Sequence, residues 1–131
     1  MISFLVDHNM EGQAVLLLKT LETEGWLDLV PLSFVTFDEV GLSVDSDDRT
    51  VWRCCQTNQM ILLTDNRNMK GEDSLEQTLR EENTTTSFPI VTVGNLDNIK
   101  EREYREACAV RLMEIVLDLE NCFGVGRLFI P

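Results

Sequence analysis

Basic residues are scarce in this chain. Eleven Lys and Arg stand against 23 Asp and Glu, for a formal net charge of −12 over 131 residues. That balance helps solubility and opposes casual binding to phosphate backbones, so it counts against a general, charge-driven nucleic-acid binder. It leaves room for a site that gathers carboxylates around magnesium or manganese. Histidine is almost absent: His8 is the single one. Histidine-based catalysis therefore uses His8 or does not occur, and a structural or solvent-facing role suits it as well. Ser46 and Ser74 have no histidine nearby in sequence, so no nucleophile is assigned. The four cysteines, Cys54, Cys55, Cys108 and Cys122, are not spaced as a zinc knuckle, and the adjacent pair is a poor disulfide. Three of them fall in helix-like segments, which predicts reduced thiols and a cytosolic protein. No apolar run reaches membrane-spanning length, and the N-terminus shows neither a basic region nor a cleavage site. The expectation is a soluble, unexported protein with no membrane partner. Glycine-rich phosphate loops are missing too. "GVG" at 124–126 lacks the Lys and the following helix of such a loop and reads as a turn.

What is present is an alternation of element types. There is no repeat, low-complexity segment or linker, and the length fits one domain spanning 1–131. Residues 2–6 read as a strand and 13–24 as a helix closed by Gly25. Residues 29–35 are β-rich and broken by Pro31; 36–46 read as a loop. Residues 47–57 are helical, with Ser46 or Asp47 as cap. Residues 60–64 form a short apolar strand and 73–82 an acidic helix. A further apolar strand covers 89–93, a long helix 97–119, and a last strand 127–130. Wholly apolar strands alternating with helices predict a parallel sheet covered on both faces. The expected architecture is a three-layer α/β/α sandwich with a central, mainly parallel sheet of about four strands plus the tail as an edge element. Right-handed crossovers are expected throughout.

The carboxylates cluster at element junctions. Asp7 follows the first strand, and Asp47 and Asp48 open the second helix. Asp65 follows the third strand, ahead of Asn66, Arg67 and Asn68. Asp73 and Glu76 fall in the first turn of the next helix. Two explanations stand side by side. Asp48 and Asp73 can serve as helix caps that complement the helix dipole. Alternatively, the junction acids share the carboxyl rim of the sheet, where open α/β sheets keep their sites. Carboxylates within about 4 Å repel by several kcal/mol per pair at an effective dielectric near 20. Such a group persists if protonated, paired with bases, or holding a hard divalent ion. Asp7 and the 65–68 segment both follow buried strands, which capping does not require.

In order, "FLVDHN", "DSDDRTVWRCC", "MILLTDNRN" and "DSLE" resemble the PIN-like superfamily, in particular a short, uncharacterised branch related to VapC-type toxins. The match covers about residues 2–95, with 97–131 as an extension. By motif, Asp7, Asn9, Asp48, Thr64 and the segment after it correspond to the family's site. The resemblance implies a compact α/β/α fold, a Mg2+ or Mn2+ site and single-stranded RNA cleavage. The chain departs from the pattern at Asn66 and Asn68, where the family carries acids; Asp65 sits one residue early. Asp73 or Glu76 could compensate.

The resulting expectation is a divalent-metal-dependent ribonuclease. Asp7, Asp48 and Asp73 hold the ion, Asn66 or Asp65 completes the shell, and Arg67 steadies the phosphate. The rival expectation is a catalytically degenerate PIN-like scaffold acting in protein assembly. A small-molecule phosphohydrolase of the same geometry is a third. Arg49 and Arg53 are expected to pair with the adjacent aspartates, and Trp26 and Trp52 to pack. The apolar tail, with Leu128, Phe129 and Ile130, is expected to cover a sheet edge or to pair with another copy, giving a homodimer. An antitoxin-like protein is a further expected partner.

Overall fold

The computed structural model describes residues 1–67 and 70–131. Five strands form one all-parallel sheet: β1 (Ile2–Val6), β2 (Leu32–Val35), β3 (Ile61–Thr64), β4 (Ile90–Val93) and β5 (Arg127–Ile130), in the order β2-β1-β3-β4-β5. The tail is thus a fifth strand, its Leu128 in register with Val91 and its Ile130 with Val93. Both faces of the sheet are covered, as wholly apolar strands require. Side chains alternate across it. Phe4, Val6, Ile61, Leu63, Val91, Val93 and Ile130 enter one core with helices α1 (Glu11–Thr23) and α5 (Arg102–Leu117). Leu5, Leu62 and Ile90 enter a second core with α3 (Asp48–Thr57) and α4 (Leu75–Glu82). Each fully buried Leu, Ile or Phe contributes roughly 1.5–3 kcal/mol.

Helix boundaries follow capping chemistry. Asp47 caps α3, its Oδ1 accepting from Thr50 N at 2.7 Å. Ser74 caps α4, its Oγ accepting from Gln77 N at 3.2 Å. The β-rich stretch at 29–35 divides: Gly25 turns the chain at φ +80° into the short helix α2 (Trp26–Leu29), and β2 begins just after Pro31. The long helix expected over 97–119 is interrupted. A 3-10 turn, Leu96–Lys100, comes first; Glu101 is extended, and α5 starts at Arg102. The Arg105 guanidinium donates to the carbonyls of Ile99 and Lys100, which stabilises the break. Buried Cys108, Ala109, Leu112, Met113, Ile115 and Val116 then tie α5 to the core, so the C-terminal segment is integral to the fold.

The expectation of one hand throughout needs correction. The β1–α1–β2 link steps one way across the first face; β2–α3–β3 and β3–α4–β4 step the other way across the second face, so all three share a hand. The β4–α5–β5 link steps in the same direction as the β3–β4 link but over the first face, so its hand is opposite. The cause is burial. The first face spans all five strands, more than α1 covers alone, and the apolar stripe of α5 fills the remainder. Among the described residues no helix is long and apolar enough to cross a membrane. The cysteines are unpaired, and burial pushes the Cys108 thiol up to about 11.

Candidate metal centre at the carboxyl rim

The link after β1 runs to one face and the link after β3 to the other. Adjacent parallel strands whose connections part in this way leave a crevice at their carboxyl ends. Asp7 and Thr64 stand at that crevice. Asp7 N donates to Leu63 O at 2.9 Å, which extends the β1–β3 ladder and fixes the carboxylate in place. Thr64 is wholly buried, and its Oγ1 donates to Asp7 Oδ2 at 2.6 Å. The same hydroxyl accepts from Asn66 N at 3.0 Å.

Asp48 reaches the crevice from α3. Asp47 does the capping, so the Asp48 side chain is released inward. Its Oδ1 accepts from Asn66 Nδ2 at 2.9 Å, and its Oδ2 accepts from Leu75 N, at the start of α4, at 3.2 Å. Asp48 thus stabilises the start of a neighbouring helix, not its own. Asp7, Asp48, Thr64 and Asn66 line one cavity of about 60 Å³. Phe37, Val44 and Ser46, from the segment after β2, form its outer wall. The segment read as a loop over 36–46 contains the 3-10 turn Asp38–Val40 and lines the cavity on that side.

Burial raises the pKa of Asp7 above the usual carboxylate value. The Thr64 hydroxyl and the backbone N–H of Asn9 oppose that shift, while the negative charges of Asp65 and Asp48 add to it. Two carboxylates, an amide and a hydroxyl form a hard donor set. Magnesium is commonly held by only one or two carboxylates, with water and substrate phosphate oxygens completing six positions. The chemistry of these oxygens suits an ion of that kind; Asp7 and Asp48 would be the residues to hold it, and its charge would relieve the electrostatic load on Asp7.

The other junction residues lie apart from this cavity. Asn9 Nδ2 donates to Asp65 Oδ1 at 3.2 Å, a pair at the lip. Asp73 is turned away: its Oδ1 accepts from Arg49 Nε at 3.0 Å, within a cluster where Arg49 also pairs with Glu81 and Glu82. Arg53 joins Glu82 as well, so the two arginines pair with α4 and the turn before it, not with the adjacent aspartates. Their charge holds Glu81 and Glu82 below the usual carboxylate range. Glu76 pairs with Arg127. His8 is half exposed, with Nδ1 3.2 Å from Glu11 Oε1. Arg67 lines a neighbouring crevice. Asn68 lies outside the described residues. Among the described residues no group of three or more His, Cys, Asp or Glu is arranged to hold a metal ion.

Sequence reasoning missed Arg127. Its side chain is 9% exposed, and its Nη1 donates to Asn66 O at 2.7 Å and to Thr92 Oγ1 at 2.6 Å. Nε and Nη2 both donate to Glu76 Oε1. A continuous chain of bonds therefore runs from the last strand through Asn66 to Asp48, and through Thr64 to Asp7. The available signal was a lone cation within an apolar strand, which folding buries only with partners. Comparison with protein-family models, curated proteins and solved structures gave no match.

Proposed function

We propose that this protein is a PIN-like, divalent-metal-dependent nuclease acting on single-stranded RNA in the cytoplasm. One observation carries the reading: Asp7 and Asp48, 41 positions apart, line one walled cavity at the strand switch point, joined through Thr64 and Asn66. Asp7 and Asp48 would hold the ion, and Asp73, committed to Arg49, is left out. A bound magnesium or manganese ion supplies Lewis-acid activation of water and of phosphoryl oxygens. The chain's own contribution is placement. Thr64 orients Asp7, Asn66 orients Asp48, and the Phe37–Val44 wall restricts solvent. The cavity of about 60 Å³ has room for an ion and bound water but not for a nucleotide, so the scissile phosphate would approach from the rim.

A second reading is a catalytically degenerate PIN-like scaffold that acts in protein assembly. The lack of a third carboxylate in the described cluster favours it. An antitoxin-like protein, or a second copy meeting the outer edge of β5, would then be the principal partner. Calorimetric titration with manganese, combined with cleavage of a single-stranded RNA by wild type, Asp7→Asn and Asp48→Asn, separates the two. The nuclease reading expects micromolar to millimolar manganese binding and cleavage that both substitutions abolish. No heat of binding, with any residual cleavage unaltered by either substitution, would refute it.

A further inference from the structure

The reversed hand of the β4–α5–β5 link has a chemical consequence. The connection after β3 runs to the α4 face and the connection after β4 to the α5 face. The sheet therefore opens a second crevice at the carboxyl ends of β3 and β4, directly beside the first. It has a volume of about 350 Å³ and is lined by Asp65, Arg67, Gly94, Asn95, Leu96 and Asp97, among others. That is within the range of small-molecule sites, roughly 300–1,000 Å³. Asp65 stands between the two crevices: it lines the second, bonds Asn9 at the lip of the first, and its charge bears on Asp7.

We infer that this second crevice recognises a guanine base of the nucleic-acid strand whose phosphate lies at the Asp7–Asp48 cavity. The strand assignment rests on the nuclease reading; the recognition of the base does not. The charges decide the ligand class. Arg67 is the one cation among the described residues lining either crevice, and it faces two carboxylates, Asp65 and Asp97. That excess of negative charge disfavours a phosphate in the second crevice. It favours a neutral ring that offers donors on one edge and acceptors on another. No hydrogen bond or ion pair joins Arg67 or Asp97 to another described residue, and the charge of Arg67 bears on the nearby Tyr104 hydroxyl, which leaves the guanidinium and the Asp97 carboxylate to face the crevice. Guanine matches them together. Its N1–H and N2–H lie side by side and suit the two oxygens of a carboxylate. Its O6 and N7 accept two bonds from one arginine, the commonest base-specific pairing of that side chain. Adenine and cytosine place an acceptor nitrogen beside the amino group, which a carboxylate repels. Uracil has one N–H between two carbonyls. Arg67 is thereby a base-reading residue and not the partner of the scissile phosphate.

Guanosine, which carries no phosphate, tests the crevice without the metal centre. Binding of guanosine and of adenosine to the full-length chain is measured by titration calorimetry in EDTA, for wild type, Asp97→Asn and Arg67→Met. The expected result is a preference for guanosine of about tenfold or more, lost in both variants. The urea midpoint of Asp97→Asn should match wild type, which shows that the variant is folded whether or not the protein binds manganese. Cleavage by wild type, where seen, should map next to guanines in a single-stranded RNA of mixed sequence. Equal affinity for the two nucleosides, or a guanosine preference that survives Asp97→Asn, overturns the inference even if manganese binds. A guanosine preference in a protein that binds no manganese and whose cleavage neither Asp7→Asn nor Asp48→Asn alters upholds the crevice and refutes the nuclease reading.

Discussion

Replacing Arg127 by Met tests whether the last strand holds the rim together. Met keeps an unbranched, flexible apolar stem but has no guanidinium. The change removes bonds to Asn66 O (2.7 Å), Thr92 Oγ1 (2.6 Å) and Glu76 Oε1 (2.9 Å from Nε). Thr92 is wholly buried, while the Glu76 side chain is 26% exposed. Breaking a fully buried pair by removing one partner costs about 3–5 kcal/mol. Glu76 recovers part of its hydration, which lowers the figure, and the wholly buried Thr92 hydroxyl left without the guanidinium raises it again. The expected loss is about 2–4 kcal/mol, measured as a lower urea midpoint at constant m-value. Freed from Arg127, the Asn66 backbone no longer holds its side chain against Asp48, so manganese affinity should fall by tenfold or more. The double variant Arg127→Met/Glu76→Gln should lose less than the sum of the singles by about 1–3 kcal/mol. A single variant within about 0.5 kcal/mol of wild type, with no coupling in the cycle, would refute this account.

Other outcomes follow from the same contacts. Asp7 has a raised pKa in the folded chain, so the stability attached to its proton is full below the ordinary value of 3.8 and is lost as pH rises through the raised value. In EDTA at pH 7, Asp7→Asn should therefore melt above wild type, and the gap should close as pH falls towards 4; in manganese the order should reverse, which thermal melts at several pH values would record. Thr64→Val keeps the shape but removes the hydroxyl's bonds to Asp7 Oδ2 and from Asn66 N, both part-buried, at a cost of about 1–2 kcal/mol in urea unfolding. Gly124 holds φ +83°, and a Cβ there would lie 2.8 Å from the Thr85 Cα. Gly124→Ala should lower the unfolding free energy by about 2–4 kcal/mol, where an exposed α1 position such as Gly12→Ala should be neutral or stabilising.

Most of the architecture was legible because the strands carry it. Short runs such as 61–64 and 90–93 are wholly buried, and full burial on both faces admits few architectures besides a parallel sheet between helical layers. The errors sit where local pattern competes with tertiary bonds. The 97–119 segment has helix-forming composition from end to end, yet its first turn tightens and breaks because Arg105 folds back on the carbonyls of Ile99 and Lys100. The hand of the final link was not readable at all. It depends on how much of the first face α1 leaves uncovered, a property of the assembled sheet.

The site was legible in proportion to how closely its residues are tied to strands. Asp7 and Thr64 end β1 and β3, and paired parallel strands bring their carboxyl ends together whatever the side chains do. Asp48 was legible for a different reason: with Asp47 next to it, one aspartate suffices as cap and the other is free to turn inward. Asp73 looked equivalent by spacing, but it lies within reach of Arg49, which also holds Glu81 and Glu82 on α4. An exposed carboxylate beside a guanidinium that other acids already fix in place pairs there, because that contact needs no further desolvation of either charge. The same logic explains Arg127. A cation on the core side of an edge strand is tolerated only if every donor is met, and the groups within reach are Glu76, Thr92 and the carbonyl of Asn66. The last strand thus positions Asn66 as a consequence of satisfying its own buried charge. Pairing of β1 with β3 is enough to bring Asp7 and Thr64 together, whereas the Asn66 that bridges them to Asp48 is also braced by an arginine close to the end of the chain.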